Sequence, residues 1–193
     1  FFPLAGRITD SIPAHIPIAA GLLIFAIGFI LIEAVDVNTT FWTLVAYTGI
    51  IKVGLSFAIP SLSVAALRSV PPDKLARGAS SATFFRNLGG GFGITLLTAF
   101  FQHRTRFHGE AFTATQTSDN QTTHALLGSV KQLLAESGMP DTSQAAGALD
   151  YLAEVVLAQA STLGFKDTFL AIAVVALLAV GPAWLIGRAE PKR

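Results

Sequence analysis

Long stretches without charge dominate this sequence. Residues 11–32 hold no acid, Lys or Arg; residues 41–67 hold one charge, Lys52; residues 79–101 hold one, Arg86; and residues 168–187 hold none. A helix needs roughly 20 mostly apolar residues to cross about 30 Å of hydrocarbon, and buried helices of soluble proteins seldom run this long without a polar face. In lipid each backbone N–H and C=O must find a partner within its own segment, so such runs have to be α-helices. Composition agrees: 13% of the 193 residues are charged and 52% hydrophobic, against roughly 25% charged in soluble domains. The expected class is an all-α membrane protein.

Charge sets the expected orientation. The short segments 1–13, 68–78 and 188–193 carry seven bases: Arg7, Arg68, Lys74, Arg77, Arg188, Lys192 and Arg193. The loop at 33–40 carries Glu33 and Asp36 and no base, and segment 102–164 spreads Arg104, Arg106 and Lys131 among six acids. The positive-inside rule places the first set in the cytoplasm. The expected organisation is therefore the tail of one span and three transmembrane helices in 1–101 (about 11–32, 41–67 and 79–101). An extracytoplasmic loop with amphipathic helices follows at 102–164, then a last transmembrane helix at 165–187 and a cytoplasmic tail at 188–193. Within 102–164, TATQTSDNQTT reads as loop. Leu126, Leu127, Val130, Leu133 and Leu134 recur at helical spacing, and a second amphipathic stretch over 143–163 leads into the last span.

Several function classes drop out. A net charge of +1 gives no basic face for nucleic acid, and without cysteine there is no disulfide framework, thiolate metal site or cysteine nucleophile. Phosphate-loop, nucleophile-elbow, zinc-protease and dinucleotide-binding signatures are all absent. The expectation is a non-enzyme without cofactor or metal. His15, His103, His108 and His124 lack ligand spacing and read as solvated residues of loops or helix ends. The opening FFPLAGRITD has no basic region before an apolar one, so it is not a signal peptide. The expectation is an excerpt beginning inside or just after an earlier hydrophobic segment.

Candidate functional residues are the charges within the apolar runs. A cation near the bilayer centre costs about 2.5–3.5 kcal/mol on insertion scales, so it should face protein or water. Lys52, Arg86 and its neighbour Asn87 are the transport-path or coupling candidates, with snorkelling to the headgroups as the bland alternative. Gly89, Gly90 and Gly93 follow Arg86 within two turns, and Gly89-x-x-x-Gly93 is a pattern that lets helices approach closely. With Gly54 and the helix-bending Pro60, these are the packing or hinge candidates. Every acid lies in a loop, a tail or at a span's end, so a proton-carrying carboxylate is expected outside these 193 residues.

Taken together, PLAGRITD, then IKVGLSFAIPSLSVAALRSVPPDKLARGASSATFFRNLGGGFG, then GFKDTF before a final span resembles the C-terminal part of a major facilitator transporter. More narrowly, it is similar to the fourteen-helix drug:proton antiporters of the EmrB/QacA type. The most specific piece is Pro71, Pro72, Asp73, Lys74, Gly78, Ala79, Ser80 and Ser81, then Arg86, Leu88, Gly89, Gly90 and Gly93. The resemblance implies a major facilitator fold, with these about four spans, plus the end of a fifth, as its C-terminal helices. Gly6, Ile8 and Asp10 resemble a cytoplasmic loop motif whose charges latch neighbouring helices, although Ser11 stands at its basic position and Pro13 at its second glycine. Lys52 stands where the family carries Arg, followed by Gly54; Lys keeps the charge but loses the planar fork. The implied function is proton-driven export of hydrophobic or amphipathic compounds by alternating access, in the inner membrane. The implied partners are drug-like substrates, protons, the lipid bilayer and, in a Gram-negative host, a periplasmic adaptor and an outer-membrane channel. Rival readings are an importer or symporter on the same fold, since fold does not decide direction, or a non-transporting membrane scaffold.

Overall fold

The computed structural model describes residues 12–189 except Val37 and Ser118; Gly6 and Asp10 lie outside the described residues. Five helices make up the described chain: α1 (His15–Glu33), α2 (Phe41–Arg68), α3 (Leu75–Ala114), α4 (Gln121–Glu136) and α5 (Asp141–Ala189), with a 3-10 turn at Pro72–Lys74. No strand occurs among the described residues. Three helices are long and apolar enough to cross a membrane by length and composition: α1, α2 and the Asp141–Leu185 stretch of α5. The expected span at 79–101 lies within α3, which is not among the three. Its glycines and Arg86 dilute its apolar content.

One helix runs on where charge suggested a boundary, and another is continuous with the last apolar run. α3 continues past residue 101 to Ala114, and the amphipathic stretch after residue 141 joins the last apolar run as one 49-residue helix. No proline interrupts either junction. Charge marks where a helix leaves hydrocarbon; it does not break the backbone hydrogen-bond ladder, which needs proline or a cap. Within 102–164 the non-helical residues are a short stretch around residues 115–120 and the turn at 137–140.

The chain forms two compact units, residues 12–97 with 168–189, and residues 98–167. In the first, the core is built from small side chains. α1 and α2 run antiparallel: Gly21 meets Gly54 and Ala58, Phe25 meets Gly54, and Gly28 meets Ile51. A Cβ on Gly54 would lie 2.5 Å from the Phe25 amide nitrogen, and one on Gly21 would lie 2.7 Å from the Ala58 nitrogen. Backbone thus touches backbone, the contact that small residues permit between membrane helices. The C-terminal part of α5 packs on α1 in the same way, Ala183 against Ala14 and Ile18, and Ala173 and Ala176 against Ala26 with Phe25 and Phe29 alongside. The large apolar side chains, Trp42, Val175 and Leu178 among them, are exposed instead. Soluble proteins rarely expose apolar surface on that scale; in lipid it costs nothing. Pro60 lies inside α2, which continues through it, and the Ser56 and Ser63 hydroxyls donate back to the Val53 and Ile59 carbonyls at 2.8 and 3.0 Å.

In the second unit α4 begins where Asn120 Oδ1 accepts from the Thr123 amide, a standard N-cap contact. It ends where the amides of Gly138 and Met139 donate back to Ala135 and Leu134, with Gly138 at φ +84°. That left-handed residue turns the chain directly into α5. Gly138→Ala should lower the thermal stability of the detergent-solubilised protein by about 1–2 kcal/mol, the left-handed penalty for a residue with a Cβ.

Candidate functional site

The transport-path candidates occupy exposed positions. Lys52 sits on α2, while Ile51, Gly54 and Ala58 face α1. Arg86 and Asn87 lie on α3, no residue of which is buried. Neither Lys52 nor Arg86 forms an ion pair among the described residues, and the two are not brought together. Gly89, Gly90 and Gly93 meet nothing within 4 Å, so no described residue uses the expected packing face. Phe84, Phe85 and Phe92 are exposed too, whereas Phe25 and Phe29 meet edge-on with ring centres 4.9 Å apart. Gly54 lies in close contact with Gly21 and Phe25 of α1. Gly21, which Gly54 meets, and Gly28, which meets Ile51, were not singled out in the sequence, although their seven-residue spacing puts them on one helical face.

The strongest polar constellation lies in the second unit, where α3 and α5 run antiparallel. Thr105 packs against Gly164, where a Cβ would collide with the Thr105 side chain, and Gly109 faces Ala160. Phe101 and Phe165 stack with ring centres 4.3 Å apart. Arg104 and His108, four residues apart and so on one face of α3, both reach the same carboxylate oxygen. Arg104 Nε donates to Asp167 Oδ2 at 2.7 Å, and His108 Nε2 lies 2.6 Å from that oxygen. Arg104 Nη2 is 3.5 Å from the same imidazole nitrogen, and its guanidinium carbon lies 4.8 Å from the Phe107 ring centre.

His108 is therefore not the solvated loop histidine the sequence suggested. It is a helical residue with a side chain 17% exposed and a carboxylate partner. His15 also differs from that reading: it packs edge-on against Trp184 at 5.6 Å, its Nδ1 buried and unbonded among the described residues. The signal for the cluster was present in Arg104-x-x-x-His108 and in one acid, Asp167, at the head of the last apolar run. Pairing them required knowing that α3 extends past residue 101.

The cluster is a soft junction. Arg104 and Asp167 side chains are 31% and 27% exposed, and such partly exposed pairs contribute about 0–1 kcal/mol. Beside it the Thr105 hydroxyl is buried without a partner among the described residues, which typically costs about 1–3 kcal/mol. Around the helix from His108, by about 200°, Arg106 and Glu110 line an open groove of about 660 Å³ with Phe101 and Leu157. No group of acids and histidines among the described residues is arranged to hold a metal ion.

Comparison with known proteins bears on the class. Over 102 residues, 53% of this chain and 19% of the relative, the sequence is 32% identical to the multidrug transporter protein MdtP of Bacillus subtilis strain 168. Over 169 residues, 87% of this chain and 32% of the relative, it is 19% identical to the uncharacterized MFS-type transporter YhcA of the same strain. The chain thus spans about a fifth to a third of the length of these curated relatives. No family model matches, and no solved structure matches significantly. Helices and relatives together define an all-α, multi-pass membrane chain similar to part of major facilitator transporters. Both relatives are transporters rather than enzymes.

Proposed function

We propose that the chain is a C-terminal part of a proton-driven multidrug exporter of the inner membrane, of the fourteen-helix kind. It moves hydrophobic or amphipathic compounds by alternating access, with two helical bundles rocking about a site near the bilayer midplane. The observation that carries this reading is the identity to a multidrug transporter over 102 residues, in a chain whose apolar helices expose their large side chains. Lys52, Arg86 and Asn87 are its path or coupling residues, exposed here to meet the remainder of the transporter. In a Gram-negative host, a periplasmic adaptor and an outer-membrane channel would complete the route. The test is ethidium efflux from cells carrying or lacking the intact gene. Loss of the gene should raise dye retention, and a proton uncoupler should abolish the difference. Retention unchanged by the deletion, or efflux indifferent to the uncoupler, would contradict the reading.

The same proposal fixes sidedness. Ser69 and Thr117 are both exposed and these 193 residues hold no cysteine, so single Cys replacements are clean once any cysteine of the remainder is replaced. An impermeant thiol reagent applied outside should label position 117 and spare position 69. The reverse pattern would invert the orientation.

A further inference from the structure

We propose that His108, Asp167 and Arg104 form a proton-responsive tie between α3 and α5: a proton on His108 tightens the helix pair, and its loss slackens it. The site stands on geometry within the second unit and does not depend on the transport reading. His108 Nε2 and Arg104 Nε converge on one oxygen, Asp167 Oδ2, at 2.6 and 2.7 Å. With the imidazole protonated, both bonds to that oxygen join full charges, and charge-assisted bonds are roughly twice as strong as neutral ones. A neutral imidazole still donates from Nε2, but Asp167 then has Arg104 as its one cationic partner in the cluster, and the attraction across the helix pair falls.

The surroundings make the pair responsive to this difference. Backbone packing at Thr105 and Gly164 leaves the Thr105 hydroxyl buried without a partner among the described residues. Closure of the pair here carries a penalty that the ionic tie offsets in part. Cluster side chains are also accessible enough to exchange protons with water, at 17–31% exposure. Histidine is the side chain that changes charge between about pH 5 and 8.

The other charged and titratable groups nearby are accounted for. On α3, His103, Arg106 and Glu110 are exposed, and the last two line the groove around the helix from His108. On α5, Lys166 is half-buried beside Asp167 in sequence. α4 approaches Phe112 of α3, and Gln116 in the loop after it, through Thr122, Thr123 and Leu126, and its His124 is exposed.

The experiment places spin labels on Gln102→Cys and Thr162→Cys, both exposed positions, in the otherwise cysteine-free protein in liposomes. The distance distribution is measured from about pH 5 to about pH 8. The expected result is a narrow distribution at the acid end that lengthens and broadens toward the alkaline end. His108→Gln, which keeps an amide donor but cannot titrate, should give one distribution at every pH. Asp167→Asn should do the same, and His103→Gln should keep the shift. A pH-independent distribution in the labelled parent overturns the proposal without any variant, and so does a shift that survives His108→Gln. A shift abolished by His103→Gln would move the proton site off the cluster and overturn it equally.

Discussion

Gly54→Leu should prevent α1 and α2 from packing. The Cβ that any other residue carries at this position would lie 2.5 Å from the Phe25 amide nitrogen and 2.7 Å from the Gly21 carbonyl oxygen. Those atoms belong to backbone and cannot swing aside as a side chain can. Overpacking in ordinary cores costs about 1–3 kcal/mol; against two backbones the loss should exceed that, a large share of the roughly 5–15 kcal/mol that holds a typical domain. Detergent-solubilised protein should lose its cooperative thermal transition or show it far below the parent. Gly89→Leu is the control on the same chain. Its Cβ meets nothing within 4 Å, so whatever it perturbs must come from a partner beyond the described residues. A wild-type transition in Gly54→Leu would mean that the helix pair is held elsewhere.

Arg86→Ala should cut efflux at least about tenfold while leaving membrane abundance at the parent level. Removing a cation that costs about 2.5–3.5 kcal/mol to bury makes insertion easier, not harder, so falling abundance cannot explain lost activity. A tenfold loss corresponds to about 1.4 kcal/mol, well within what one charge inside a membrane contributes. Arg86 is exposed and forms no ion pair among the described residues. The role proposed for it is therefore to meet substrate, water or an acid on the rest of the transporter. Lys52, exposed on α2, should tolerate Lys52→Arg better than Lys52→Ala, because charge more than shape is what its position requires. Dye efflux and immunoblots of the same cells separate the cases. Undiminished efflux in Arg86→Ala would reduce Arg86 to a headgroup anchor, and equal activity of the two Lys52 variants would remove it from coupling.

What the sequence alone determined is the solvent. Uncharged runs with few polar positions force helices into lipid, because only a helix satisfies its own backbone there. The runs at 11–32 and 41–67 correspond to α1 and α2 within a few residues at each end. Gly54 was a packing or hinge candidate in the sequence, small residues being what close helix packing requires. The α1 residues it meets, Gly21 and Phe25, were not singled out as its partners, because nothing local to them says which helix will face them. Helix length was misjudged at 102–114 for a related reason. The sequence displays where charge begins, while the hydrogen-bond ladder stops only at a breaker or a cap, as at Gly138 with φ +84°. The tertiary structure alone decided that Arg104 and His108 share Asp167, residues separated by 63 and 59 positions. Such pairing depends on how two long helices align, and alignment is set by where backbones touch, here Thr105 on Gly164 and Gly109 beside Ala160, rather than by the charges that the alignment brings together.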